Sequence, residues 1–304
     1  MSRFRFKVPR VSGTQASILL ILTLGLKWLL MRQDGFPNDL IHSLNLILIV
    51  MSLILIVILI VQTFNDLIAV LKRASAGVSY LIKSFCGIKS AKAPEIYVRD
   101  LFDAYAEKFD AHLVTTLGYQ VPQQMLNIVQ QSITTPKTFK ILDLGCGTGL
   151  CAVALKPITD SIVGIDLSAP MLEKADERQL YDALICNSLI KAHQYYQQEF
   201  NLVVSADVLI YFGDLTEVFE VVLQVLEEKG YFIFSLEESQ EEPWIVKKNG
   251  RYAHNRNYVI TQAQRFKLTV VTISKQTQRF EDGKPVIGDI YLLQRNSISP
   301  QLTA

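Results

Sequence analysis

Apolar positions crowd into the first quarter of this 304-residue chain and then spread into a regular alternation. From Leu40 to Val61 lie 22 residues whose only ionisable side chain is His42; the run LNLILIVMSLILIVILIV fills 44–61, with Asn45 and Ser52 as its polar intruders. About 20 such residues cross the hydrocarbon core of a bilayer, so the pattern predicts a transmembrane helix. A second run, ASILLILTLGLKWLLM at 16–31, carries Lys27 beside Trp28 near one end, where the ammonium snorkels to the interface. Together the runs predict a hairpin over 16–64, with spans at about 16–31 and 40–61. Gly35, Pro37 and Asn38 supply the turn chemistry of the connection. A signal peptide fits less well, because no small-x-small cleavage site follows the first run. A single span instead of two stays open. Residues 66–88 place apolar side chains at 67, 68, 71, 74, 78, 81, 82 and 85, which is helical spacing with basic residues interspersed. Such a helix lies along headgroups or packs in a bundle. SAKAP at 90–94 reads as a linker, so 65–94 is assigned as juxtamembrane helix and linker.

Beyond the linker the period changes. Strand patterns occur at 139–144, 161–166, 183–186, 200–206, 230–236, 268–275 and 287–294, and helical patterns separate the first five. Ser168 followed by Pro170 and MLEKADERQL marks one helix start plainly. Alternation of this kind means right-handed βαβ units and a doubly wound, mainly parallel sheet. The turn EDGKP at 281–285 joins the last two strands as a hairpin, so the final strand is expected to run antiparallel. Residues 95–296 are assigned to this α/β domain, 1–15 to a basic N-terminus and 297–304 to a tail.

Charge adds an orientation. Residues 1–92 hold 11 Lys/Arg against 3 Asp/Glu, whereas 93–304 hold 19 against 26. Basic flanks at both ends of the apolar region predict that both face the cytoplasm, which two spans satisfy and one does not. The acidic α/β domain argues against nucleic acid as a partner, since phosphate contacts need clustered Lys/Arg. Cys86, Cys146, Cys151 and Cys186 show neither CxxC nor metal-ligand spacing, so no metal site and no disulfide is expected.

The chemistry concentrates in LDLGCGTG at 142–149, where a strand runs into three glycines in five positions. Gly145 and Gly147 sit at the carboxyl edge of the sheet and let a ligand lie against the backbone. A phosphate-binding P-loop is excluded, because no lysine follows. A dinucleotide fingerprint is weakened by Leu150 at the third glycine position and by Asp143 before the first, although NAD is not eliminated by these alone. An S-adenosylmethionine site fits better. Asp143 suits an ammonium or sulfonium and would repel a pyrophosphate, while Asp166 closes the second strand, 19 residues beyond Gly147, and can accept from both ribose hydroxyls.

LDLGCGTG, VGIDLSAPMLEKA, and FNLVVSADVLIYFGDL with the later EKGYFIFSLEE together resemble class I S-adenosylmethionine-dependent methyltransferases. They are most like the TPR-repeat-associated small methyltransferases of bacteria and more loosely similar to ubiquinone- and biotin-type enzymes. The resemblance covers about 95–295, from YVRDLFDAYAEKFDAHL to beyond GRYAHNRNYV, and excludes the apolar hairpin; no TPR array occurs. It implies a Rossmann-like seven-stranded methyltransferase sheet, with Asp143, Gly145 and Gly147 on the methionine side. It implies further that Asp166 and Leu167 hold the ribose, that Met171 packs near the adenine and that Tyr105 on a cap helix covers the cofactor. Where the family commonly places an acidic residue for the adenine amino group, this chain has Asn187 and Ser188. Asp207 falls where acceptor meets methyl, and is either catalytic or a plain loop residue; His254 is either a general base or a packed histidine. Trp244, Tyr252 and Tyr258 either line an acceptor pocket or cover the sheet, and EESQEE at 237–242 reads as a solvated loop.

The expectation is a membrane-anchored methyltransferase acting at the cytoplasmic face on a small-molecule, lipid-like or membrane-protein acceptor. The alternative is a non-catalytic, methyltransferase-like membrane assembly protein. An NAD-linked oxidoreductase ranks last, since no YxxxK pair occurs.

Overall fold

The computed structural model describes residues 21–22, 38–241 and 243–297, so nearly all of the expected first span, the N-terminal 1–15 and most of the 297–304 tail lie outside the described residues. The chain divides into two compact units, Met1–Ser75 and Ala76–Ala304. In the first, the described chain is mainly helix α1 (Asn38–Phe85), whose residues from 76 onward belong to the second. It is the one helix among the described residues long and apolar enough to cross a bilayer. The sequence pattern treated 40–61 and 66–88 as separate elements. They form one helix because QTFND at 62–66 is polar but holds no proline or glycine to stop the hydrogen-bond ladder.

In the second unit, α2 (Glu95–Tyr105) passes through a 3₁₀ turn and a π-helical turn (Ala111–Thr116) before α3 (Val121–Ser132). The cap helix expected from YVRDLFDAYAEKFDAHL is thus broken after Tyr105. The sheet then builds through β1 (Phe139–Leu144), α4 (Leu150–Leu155), β2 (Thr159–Asp166), α5 (Ala169–Glu177), β3 (Ala183–Cys186) and β4 (Phe200–Ser205). It continues with α6 (Thr216–Val225), β5 (Leu226–Glu238), β6 (Trp244–Val246), β7 (Tyr252–His254), α7 (Arg256–Arg265), β8 (Leu268–Glu281) and β9 (Lys284–Arg295). Strands β3-β2-β1-β4-β5 are parallel; β9 lies antiparallel on β5, and β8 antiparallel outside β9. This is the Rossmann-like methyltransferase order with an antiparallel edge.

The strands read as near-continuous apolar runs because both faces are covered. Leu142 and Leu144 of β1 point into the layer of α6 and α7, while Phe139 and Ile141 point into that of α3 and α4. In the first layer Phe219 stands edge-on to Phe232 and Phe234, and Phe234 stacks on Tyr291 at 5.1 Å. The Ser168 hydroxyl caps α5 by accepting from Met171 N at 3.3 Å, as its sequence position suggested.

Among the described residues nine strands replace the seven expected. Segments β6 and β7 span three residues each, too short to show a period; they pair with each other, and β7 pairs with the carboxyl end of β5. Strand β8 runs six residues past its expected end at 275, and a tight turn at Asp282-Gly283 (φ 49° and 72°) starts β9. Glu237, expected in a solvated loop, is buried inside β5. Near it, Gln278 of β8 reaches past Gly288 of β9 and donates to Leu236 O of β5 at 3.0 Å. A Cβ at Gly288 would overlap both the Leu236 carbonyl and the Gln278 amide. Gly288→Ala is therefore expected to cost about 1–3 kcal/mol through overpacking, read as a lowered urea midpoint.

Candidate active site

A cavity of about 680 Å³ opens over the carboxyl ends of β1, β2 and β4, within the roughly 300–1,000 Å³ usual for small-molecule sites. Its floor is the loop after β1. Gly145 (φ 77°) donates to Ile165 O at 2.8 Å, and a Cβ there would collide with Val208. Gly147 (φ 53°) has nothing within 4 Å of where its Cβ would lie, so the backbone faces open cavity. Its N–H donates to Asp166 Oδ2 at 2.9 Å, and Ser168 N donates to Oδ1 at 2.9 Å. One carboxylate thus fixes the glycine loop and the α5 N-terminus together. Burial pushes its pKa up, while those backbone donors pull it down.

Of the residues expected at the site, Gly145, Gly147, Asp166, Leu167, Met171, Ser188, Asp207 and Tyr105 line this cavity. Three others do not. Asp143 is 1% exposed beneath the glycine loop; Tyr181 donates to its Oδ2 at 2.8 Å, and its Oδ1 has no partner. Burial raises its pKa to about 7, opposed by the Tyr181 bond and reinforced by Asp166. Asn187 is half-buried and donates to Tyr195 Oη at 2.7 Å. His254 is 1% exposed, shares a hydrogen bond with Gly213 O at 3.0 Å and stacks on Tyr258; burial lowers its pKa to about 4. Its contacts are those of a packed histidine, and the general base expected there has no route to the cavity.

The walls contain groups that sequence spacing did not reveal. Glu95, at the start of α2, accepts from Ser188 Oγ at 2.7 Å, so a carboxylate from 93 residues away stands beside the position where Asn187 and Ser188 left none. Asp110 fastens the segment after α2 to the glycine loop, accepting from Thr148 Oγ1 at 2.5 Å and pairing with Arg178. His112 is hydrogen-bonded to Tyr105, and both line the cavity.

The far end is ionic. Asp207 (φ 55°) accepts from Arg279 Nη1 at 2.8 Å and from Ser235 Oγ at 3.0 Å. Arg279 also pairs with Glu237 and, at 2.8 Å, with Glu281, which in turn pairs with Arg251. Burial raises the Asp207 pKa, and Arg279 pulls it the other way. Between floor and ionic end the walls are largely aromatic, including Phe102, Phe109, Tyr119 and Tyr211.

The sheet order, the glycine floor and the Asp166 carboxylate define an S-adenosylmethionine-dependent methyltransferase domain of class I. The bare backbone at Gly147 and the paired acceptors at Asp166 fit that cofactor's ribose and amino-acid end. Residues 136–282 match the family model described as "Methyltransferase domain". Human methyltransferase-like protein 27 is 36% identical over 85 residues, covering 27% of this chain and 34% of that protein, so the match spans about a third of the relative's length. Among solved structures, Burkholderia thailandensis 1,6-didemethyltoxoflavin-N1-methyltransferase, with its substrate and S-adenosylhomocysteine bound, superposes with a TM-score of 0.53 at 14% identity, over 69% of this chain and 93% of that one. Magnesium protoporphyrin IX methyltransferase from Synechocystis gives 0.52 at 14%, over 66% and 99%. At such identities the likeness is one of fold.

Two outcomes follow from this geometry. Asp166→Ala removes acceptors worth about 1.5–3 kcal/mol per charged hydrogen bond, so calorimetric affinity for S-adenosylmethionine is expected to fall at least tenfold. For Asp143 the folded pKa lies above the unfolded value of 3.8. The folded state therefore holds the extra proton, and this group's contribution to stability declines as pH rises from about 4 to about 7. Asp143→Asn removes that decline. Relative to wild type, the variant should gain about 2–3 kcal/mol between pH 5 and 8 in urea titrations.

Proposed function

We propose that this chain is a membrane-anchored S-adenosylmethionine-dependent methyltransferase acting at the cytoplasmic face on an apolar or amphiphilic acceptor, lipid-like or carried by a membrane protein. The observation that carries the reading is a single cavity with a cofactor floor at one side and aromatic walls leading to an ionic end at the other. The apolar helix α1 and the basic flanks around it support the anchor.

When bound, the cofactor supplies a methyl group already activated on a sulfonium. The chain's own work is alignment and exclusion of water. Asp166 and the glycine backbone hold the ribose and amino-acid side, while Tyr105 and Phe109 line the same cavity. Asp207 presents a carboxylate at the acceptor end and keeps its place through Ser235 and Arg279. Where the acceptor must lose a proton, Asp207 is the group positioned to receive it, and burial makes it a stronger base than an ordinary carboxylate.

The test is incubation of the full chain with methyl-labelled S-adenosylmethionine and total membranes. Label is expected in the lipid-extractable or membrane-protein fraction, falling at least tenfold with Asp166→Ala. Label confined to soluble metabolites overturns the membrane-acceptor reading. Cofactor binding without any transfer supports the assembly-protein alternative.

A further inference from the structure

We infer that one face of the second unit, formed by the last turns of α1 and the β6–β7 hairpin, is a docking surface for anionic lipid headgroups. It goes beyond methyl transfer and rests only on the membrane location proposed above.

Two sides of the same short helical stretch have opposite fates. Gly77, Tyr80 and Ser84 turn inward: Tyr80 donates to Gly250 O at 2.6 Å, and its ring lies 5.1 Å from Tyr97. Val78, Ile82 and Phe85, spaced by four and three residues on the helix, are 56%, 58% and 66% exposed, and Ile88, just past the helix end, is 55% exposed. This is a largely uncovered apolar ridge, over which Lys248 reaches at the Phe85 ring. Water-facing side chains of this size in a row mark an interaction surface.

The charge beside the ridge selects its occupant. Between Leu67 and Pro94 the sequence contains Lys72, Arg73, Lys83, Lys89 and Lys92 and no Asp or Glu. Lys248, from the hairpin, places its ammonium 5.1 Å from the Phe85 ring, and Lys89 places its own 5.5 Å from the Trp244 ring. The cations are thus gathered on the aromatic rim of the ridge, the arrangement that suits a headgroup layer above and acyl chains beneath. Two copies meeting through this face would bring lysines against lysines. Residues 93–304 as a whole are acidic, with 26 Asp/Glu against 19 Lys/Arg, so the lysines beside the ridge stand out against the net charge of the domain.

The consequence is orientation. Tyr97 and Asn249, which adjoin this face through Tyr80 and Gly250, also line the cavity, so docking sets the cavity wall nearest the lipid.

The full chain carrying Trp28→Phe keeps Trp244 as its sole tryptophan. It is placed in nanodiscs of phosphatidylcholine alone, or of phosphatidylcholine with phosphatidylglycerol, each containing lipid spin-labelled near the headgroup. Each lysine at an anionic surface contributes about fivefold in association. Trp244 is expected to be quenched in the mixed discs, weakly in the neutral ones, and to recover on adding salt or in the triple variant Lys83→Glu, Lys89→Glu, Lys248→Glu. Phe85→Ser with Ile88→Ser should weaken quenching without abolishing its salt dependence. Unquenched Trp244 in both discs overturns the inference, as does quenching indifferent to lipid charge, or cysteine cross-linking of two copies through position 88. A chain that fails to enter discs overturns the anchor itself, which is a separate and visible result.

Discussion

A nearly buried guanidinium governs the ionic end of this domain's cavity. Arg279 is 3% exposed and stays charged at any accessible pH, so the surrounding chain must supply anions. Asp207, Glu237 and Glu281 do so from three separate elements. Removing one partner of such a buried set typically costs about 3–5 kcal/mol, because a charge is left without compensation. Much local geometry serves this arrangement. Strand β8 must run beyond the point where its apolar pattern ends, a bulge between Thr277 and Arg279 turns the arginine inward, and β9 must be bare at Gly288. Asp207 adopts a left-handed backbone that a non-glycine residue rarely takes, held by Ser235 Oγ, which meets both its N–H and its carboxylate.

The same ionic set joins the site to the part of the chain that follows the apolar helix. Lys247 pairs with Glu237 at 2.5 Å, and Arg251 pairs with Glu281. Both basic residues sit on the hairpin whose Gly250 carbonyl receives Tyr80 from the end of α1. Tyr80, Tyr252, Val246, Ile210 and Tyr211 form one small apolar cluster there. A displacement of α1's last turns would therefore be felt first at Arg251 and Glu281, not at the glycine floor.

This division explains what could be read from the sequence. The floor was legible because its requirements are local: positive φ at Gly145 and Gly147, and a carboxylate closing the next strand at Asp166. The parallel strands were legible because burial on both faces leaves continuous apolar runs. The acceptor end was not. Several of its pairs join residues 30 to 72 positions apart, and Glu95 reaches Ser188 across 93. Nothing in QTQRF at 276–280 announces a buried arginine, since its alternation looks like an exposed edge. Strands β6 and β7 were too short to show a period, and the choice between base and packed histidine at His254 stayed open because a polar type at a suggestive position says nothing of burial.

The two ends of the cavity are accordingly specified by different physics. The floor depends on backbone conformation, which tolerates little change and is shared by many proteins of this fold. The acceptor end depends on long side chains meeting across β4, β5, β8 and the hairpin, any of which can change while the floor stays as it is. Fold likeness thus reaches the cofactor and stops short of the acceptor. The ionic end is tied further, through Arg251, Gly250 and Tyr80, to the last turns of α1 within the second unit.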